Sequence, residues 1–116
     1  MGRSGGSAPF LDAAVTDTAV LVKAGYIMLA SYFIYNPSNA VAFVRLFDAA
    51  AAADVTLGTT SPAYVIGAKT VEFEQGSYDK SMQFTKGLVI GACTTAADSG
   101  HVAPSVALVV CLGLST

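Results

Sequence analysis

The sequence has few charged and ionisable side chains. Only 12% of the residues are charged, tryptophan is absent and there is a single histidine. Since typical chains carry about 25% charged residues, this protein has few groups for binding charged ligands. Its net charge is −2, and its six cationic side chains are scattered along the chain. Because phosphate binding requires a clustered basic surface, we expect no nucleic-acid partner.

Residues suited to catalysis or metal binding are equally scarce. The histidine, His101, lies beside Asp98 and Ser99 in a Gly/Ser-containing loop. A Ser–His–Asp triad needs its members at fixed geometry on rigid elements, which three neighbours in one loop rarely provide. Glu72 and Glu74 share one face of a predicted strand, but no third acidic ligand lies close by on that strand. We therefore expect no enzymatic activity, no cofactor, no metal and no small-molecule substrate.

The two cysteines are Cys93 and Cys111, and both lie in apolar, strand-like segments. We interpret them as buried free thiols that act as small hydrophobic residues. A disulfide between neighbouring strands is the alternative, and it requires Cα atoms within about 7 Å of each other. No CxxC motif is present, which argues against a zinc site.

Apolar residues are abundant, at 53% of the chain with a mean hydropathy of +0.59. Residues 24–44 carry no charge and are numerous enough to cross a bilayer as a helix. The sequence Asn-Pro-Ser-Asn at 36–39 interrupts this run, because proline removes a helix hydrogen bond and both asparagines would lie in hydrocarbon. We expect no membrane span, and we attribute the apolar excess to surfaces covered by protein partners.

Turn signals divide the chain into about eight short apolar segments, with a spacing of about 8–12 residues. This pattern predicts an antiparallel, jelly-roll-like β-sandwich. Residues 1–12 begin with a Gly/Ser-rich stretch and are expected to form a flexible arm, whereas residues 13–116 form one sandwich domain. The five alanines at 49–53 are expected to form one turn or a loop of small residues.

The strongest secondary-structure signal lies at residues 26–48. Two apolar runs, 26–36 and 40–48, flank the Asn-Pro-Ser-Asn sequence and predict a β-hairpin with a four-residue loop. Both faces of the first run are apolar: one carries Tyr26, Met28, Ala30, Tyr32 and Ile34, and the other carries Ile27, Leu29, Phe33 and Tyr35, with Ser31 as its only polar residue. We expect one face in the core and the other against a neighbouring subunit.

Several motifs resemble small virion proteins of tailed bacteriophages. They are YFIYNPSN at 32–39, VRLFDAA at 44–50, DVTLGTTSP at 54–62, FTKGLVI at 84–90 and CTTAA at 93–97. The similarity extends over residues 26–112 and is interrupted between residues 67 and 78, where Ala-Lys-Thr replaces the usual Pro/Gly-rich link. The resemblance implies a capsid decoration (cement) protein that assembles in the host cytoplasm. It would bind as a homotrimer on the outer capsid surface and clamp adjacent major capsid subunits.

Six residues are candidates for contacts with a neighbouring subunit or with the capsid: Arg3, Phe10, Leu11, Phe33, Tyr35 and Arg45. The alternative role is a tail, collar or fibre module that recognises the host surface. That role predicts a concave polar and aromatic site with exposed tyrosines such as Tyr64 and Tyr78. The number of copies per particle separates the two roles.

Overall fold

The computed structural model describes residues 7–70, 72–95 and 100–115, and residues 7–9, 72–75 and 77–81 through their backbone alone. In these ranges the strands are β1 (Ser7–Val15), β2 (Val20–Ala24), β3 (Ile27–Asn36), β4 (Ala42–Asp48), β5 (Tyr64–Ala68), β6 (Glu72–Phe84), β7 (Gly87–Cys93) and β8 (Leu108–Ser115). A short 3₁₀ turn, Ala52–Asp54, lies between β4 and β5, where the sequence predicts a turn or a loop of small residues.

The strands form two four-stranded sheets. Sheet A has the order β1-β8-β3-β6 and sheet B has the order β2-β7-β4-β5. All pairs are antiparallel, and β1 pairs with β8, β2 with β7, β3 with β6 and β4 with β5. Strands from the two ends of the chain thus pair inward, which is the arrangement of a jelly roll built from two Greek keys. The predicted antiparallel β-sandwich is confirmed.

The predicted hairpin is wrong, because β3 and β4 lie in different sheets. The turn between them carries the chain from sheet A across to sheet B. Turn residues such as Pro37 reverse the direction of the chain, but they do not determine whether the returning strand pairs with its predecessor or packs opposite it. The apolar character of both strands agrees with either arrangement.

The N-terminal boundary also differs from the prediction. Residues 7–12, which are expected to belong to the flexible arm, form most of β1, and Phe10 and Leu11 pair with Leu112 and Cys111 of β8. The pairing was hidden in the sequence, because its partner strand is almost the whole chain length away. Arg3 lies outside the described residues.

The strand β6 extends through a segment that its sequence suggests is a turn. Residues 75–80 are mostly polar and are expected to separate two short strands, but they lie within the single strand β6, whose pairing with β3 shifts register between Ser77 and Met82. β6 is an edge strand of sheet A. Antiparallel strands tolerate polar residues where one side of the sheet is exposed, so polarity alone does not end a strand.

The main core fills the space between the two sheets. It consists of Val15, Ile27, Leu29, Ile34, Ala42, Val44, Leu46, Ile66, Ala68, Phe84, Leu88, Ile90, Ala92, Leu108, Val110, Leu112 and Leu114. Alternation is regular in β8, where every second residue from Leu108 to Leu114 is buried. The remaining β8 residues therefore lie on the outer face of sheet A.

A second, smaller cluster lies on the outer face of sheet B, over its central strands β7 and β4. It consists of Phe47, Ala49, Val55, Leu57, Val89 and Cys93. Residues 49–63 fold back over this face, and Leu57 packs so closely that a Cβ at Gly91 would lie 2.8 Å from its Cδ1 atom. Phe47 of β4 and Val89 and Cys93 of β7 are thus covered by the same chain.

Candidate interaction surface

A β-bulge in β3 decides which of its residues face outward. The register of β3 shifts between Leu29 and Ser31 against both of its neighbours. Before the bulge, Ile27 and Leu29 point into the core, whereas beyond it Ile34 and Asn36 are the fully buried residues. The extra residue switches the two sides of the strand. The predicted division of β3 into two uninterrupted faces is therefore wrong.

Phe33 and Tyr35 consequently lie on the outer face of sheet A. Phe33 is opposite Cys111, and Tyr35 is opposite Val109. Residues directly opposite each other on antiparallel strands share a face, with Cβ atoms about 4.5–5.5 Å apart. Both aromatic side chains are partly exposed.

Leu11 extends this row of side chains to the edge of the sheet. It pairs with Cys111, so Leu11, Cys111 and Phe33 lie side by side on β1, β8 and β3. Leu11 has 66% of its surface exposed, the highest value among the large apolar residues that the structure describes. The neighbouring Phe10 instead packs against the main core. Of these two adjacent candidates, Phe10 therefore faces the core and Leu11 faces outward.

A depression lies next to this row. Its volume is about 530 Å³, and it is lined by Ser31, Tyr32, Phe33, Gly76, Cys111, Leu112 and Gly113. Ser31 and Gly113 are opposite each other, and the Ser31 hydroxyl lies over Gly113, where a Cβ would clash with it. Leu112 is only 3% exposed, because its side chain belongs to the main core. The open side of the depression is therefore the outer face of the sheet.

Arg45 does not belong to an exposed surface. Its side chain is 0% exposed, and its Nη2 atom donates a hydrogen bond to the Thr95 carbonyl at 2.8 Å. It lies on the outer face of sheet B, under the segment that follows β7. The prediction of a subunit or capsid contact at Arg45 is corrected accordingly: its guanidinium joins β4 to that segment within one protomer.

Asn36 organises the corner between β3 and β4. Its Nδ2 atom donates to the carbonyls of Ala40 and Ala68, both at 2.9 Å, and its Oδ1 atom accepts from the Ser38 backbone N–H at 2.9 Å. Ala68 ends β5 of sheet B, so this buried amide joins the two sheets. The Thr70 hydroxyl adds a hydrogen bond to the Ser38 carbonyl.

Asp48 organises the opposite end of the sandwich. Its Oδ1 atom accepts from the Lys86 backbone N–H at 2.8 Å, and its Oδ2 atom accepts from the Thr85 N–H at 3.2 Å and hydroxyl at 3.1 Å. Burial tends to raise the pKa of Asp48, but the hydrogen bonds from Lys86 and Thr85 outweigh it and lower the pKa below its usual value. The carboxylate thus holds the turn between β6 and β7.

The remaining polar candidates do not assemble into a site within the described residues. The ring of His101 lies over Gly58, where φ is +91° and a Cβ would be 2.9 Å from His101 Cδ2. Asp98, Ser99 and the side chains of Glu72 and Glu74 lie outside the described part. No group of three potential metal ligands occurs in the part that is described.

Three further predictions concern the cysteines, the tyrosines and the membrane. Cys93 is buried and Cys111 is partly exposed, and both are free. Tyr64 is 39% exposed, and its ring packs edge-on against Phe84 with centroids 5.7 Å apart. The side chain of Tyr78 lies outside the described set. Among the residues described, no helix is long and apolar enough to cross a membrane.

Comparisons with known proteins return nothing for this chain: no family model, no curated protein and no solved structure matches it. The functional argument therefore depends on the surface itself. Sequence reasoning identified Leu11, Phe33 and Tyr35, but it missed Cys111 and the pair of Ser31 with Gly113. Ser31 is about 80 positions from Gly113 in the chain, and Phe33 is equally far from Cys111. Only the register of β3 with β8 places them together.

Proposed function

We propose that this protein is a non-enzymatic structural component of a bacteriophage virion. In this role it is a capsid decoration protein that binds as a homotrimer on the outer shell and clamps adjacent major capsid subunits. The observation that supports the proposal is the contrast between the two outer faces of the sandwich. Residues of the same chain cover the central strands β7 and β4 of sheet B, whose edge strands leave Leu21 and Val65 exposed, whereas the central strands β8 and β3 of sheet A carry an open depression beside the exposed Leu11.

The character of the outer face of sheet A favours contact with protein. Its described residues on β3 and β8 are Met28, Ala30, Ser31, Phe33, Tyr35, Val109, Cys111, Gly113 and Ser115, and none is charged. Interfaces are depleted of charged residues at their centres and enriched in aromatic and methionine side chains. Jelly rolls also occur in viral capsid proteins, as they do in lectins and cupins, and this supports the proposal only by analogy of fold.

The proposed mechanism is stabilisation by preferential binding. A protein that binds the assembled shell better than free capsid subunits stabilises the shell by mass action. In a trimer, three weak contacts act together, because the first contact raises the effective concentration for the second and third. The clamp needs neither a catalytic group nor a cofactor.

Particles assembled with and without this protein test the proposal. We expect hundreds of copies per particle, and we expect capsids without it to release their DNA at a lower temperature. Adding the purified protein back should restore the original release temperature. If the release temperature is the same with and without it, the decoration role is wrong. A few to dozens of copies per particle would instead place it in the tail.

A further inference from the structure

We propose that residues 49–63 form a strap that opens as one unit from the outer face of sheet B and uncovers a second apolar surface. The strap is the segment that covers Phe47, Val89 and Cys93. In the closed position each of these three residues is at most 1% exposed. The strap lies on sheet B, so its opening is independent of the proposed function, which involves sheet A.

The strap is joined to sheet B at its two ends. The Ala49 N–H donates a hydrogen bond to the Gly87 carbonyl of β7 at 3.1 Å, and the Ala63 N–H donates to the Leu46 carbonyl of β4 at 2.7 Å. Ala49 directly follows β4, and Ala63 directly precedes β5. The two ends can therefore stay in place as hinges while the residues between them move.

The hydrogen bonds between the hinges are local. Every hydrogen bond that residues 51–60 make within the described part of the chain joins two residues of that range. The donors are the N–H groups of Asp54, Val55, Thr56, Thr59 and Thr60, and the acceptors are the carbonyls of Ala51, Ala52 and Thr56 and the hydroxyl of Thr60. These bonds move with the strap, so its opening breaks none of them. Segments with few contacts to the rest of a fold open at a lower free-energy cost than the whole domain.

Two large side chains hold the middle of the strap against the sheet. Val55 and Leu57 are the buried residues between positions 50 and 62, at 7% and 9% exposed. Residues 50–53 are alanines, whose methyl groups bury little apolar area. A depression of about 280 Å³ remains at the edge of the strap, lined by Asp48, Ala49, Ala50, Asp54, Thr60 and Lys86. The strap thus rests on the sheet through few apolar contacts and does not form a continuous packed layer.

The reactivity of the Cys93 thiol measures the opening. Cys93 is buried and Cys111 is partly exposed, so mass spectrometry of peptides labelled with a thiol reagent follows both in one sample. Leu57→Ala removes one contact of the strap, and we expect the labelling rate of Cys93 to rise at least about tenfold, because truncation of a buried leucine is strongly destabilising. Leu114→Ala is the matched control, since Leu114 is 3% exposed but packs in the main core. It should leave the Cys93 rate unchanged, and the Cys111 rate should be the same in all variants.

The turn at Gly58 allows a second test that leaves the sheet itself unchanged. Gly58 has a φ of +91°, and a Cβ there would lie 2.9 Å from His101 Cδ2. Gly58→Ala should therefore loosen the strap and speed the labelling of Cys93, since residues other than glycine rarely adopt this conformation. Gly25→Ala is the control, because Gly25 has a φ of +83° and a Cβ there would meet no described atom within 4 Å. It places similar backbone strain outside the strap and should not change the Cys93 rate.

The outcomes separate opening of the strap from unfolding of the whole domain. If Leu57→Ala and Leu114→Ala raise the Cys93 rate equally, the thiol is reached only through global unfolding, and the strap does not open as a unit. The same holds if the Cys93 rate rises with urea as steeply as global unfolding does, since opening of a short segment exposes little surface. An unchanged Cys93 rate in both Leu57→Ala and Gly58→Ala would also refute the strap. The release temperature of capsids tests the decoration role separately, and neither result decides the other.

Discussion

Replacement of Asn36 by alanine tests the structural role of the corner between β3 and β4. The side chain is 0% exposed and makes hydrogen bonds to the Ala40 and Ala68 carbonyls and from the Ser38 N–H. Alanine fills less space and leaves these groups without their partner in a buried environment. A buried donor or acceptor that loses its partner costs about 1–3 kcal/mol.

The expected loss for Asn36→Ala is about 3 kcal/mol, since at least two of the groups that it leaves are buried. This is a large fraction of the stability of a typical domain, which is about 5–15 kcal/mol. For a chain of this size the unfolding entropy is about 0.24 kcal/mol/K, so the melting temperature should fall by about 12 °C. Urea denaturation monitored by circular dichroism measures the free energy directly.

Asn39→Ala is the matched control, because it changes the same residue type three positions along in the same corner. Asn39 is exposed, and its side chain accepts one hydrogen bond, from the Ser105 hydroxyl at 2.9 Å. Its loss should be below about 1 kcal/mol. If Asn36→Ala is no more destabilising than Asn39→Ala, the buried amide does not hold the two sheets together, and the reasoning is wrong.

Two further substitutions test the hydrogen bond of the buried Arg45 and the carboxylate of Asp48 at the turn between β6 and β7. Arg45→Met should cost about 1–3 kcal/mol through loss of the hydrogen bond to Thr95, with no change in sedimenting mass; a change in mass at full stability would restore Arg45 to the interface. Asp48 has a lowered pKa in the folded state, so its stabilisation is present above its unfolded pKa of about 3.9 and is lost as the pH falls through the folded value. Asp48→Asn should therefore destabilise the protein at pH 7 and reduce the loss of stability below pH 4, and parallel acid-unfolding curves for both proteins would contradict this.

Local pattern was sufficient for the class of fold and for some members of the candidate surface. The spacing of turns and apolar runs predicted the β-sandwich. Because both faces of residues 26–36 are apolar, the sequence also indicated Phe33 and Tyr35 as candidates for a contact outside the core. It was insufficient for β1, because the partner of residues 7–12 is β8 at the other end of the chain. It was also insufficient for the faces of β3, because nothing in the local sequence marks the bulge between Leu29 and Ser31.

The sequence by itself determined that the chain forms short strands, reverses at Asn36-Pro37, and has too few ionisable residues for an evident catalytic set. These properties depend on neighbouring residues and on composition, and both can be read along the chain. Only the tertiary structure decided that β3 and β4 cross between sheets, that Arg45 is buried, and that Leu11 lies beside a recess formed by distant residues. Pairing between distant strands sets these properties, because it is the register that brings their side chains onto one face.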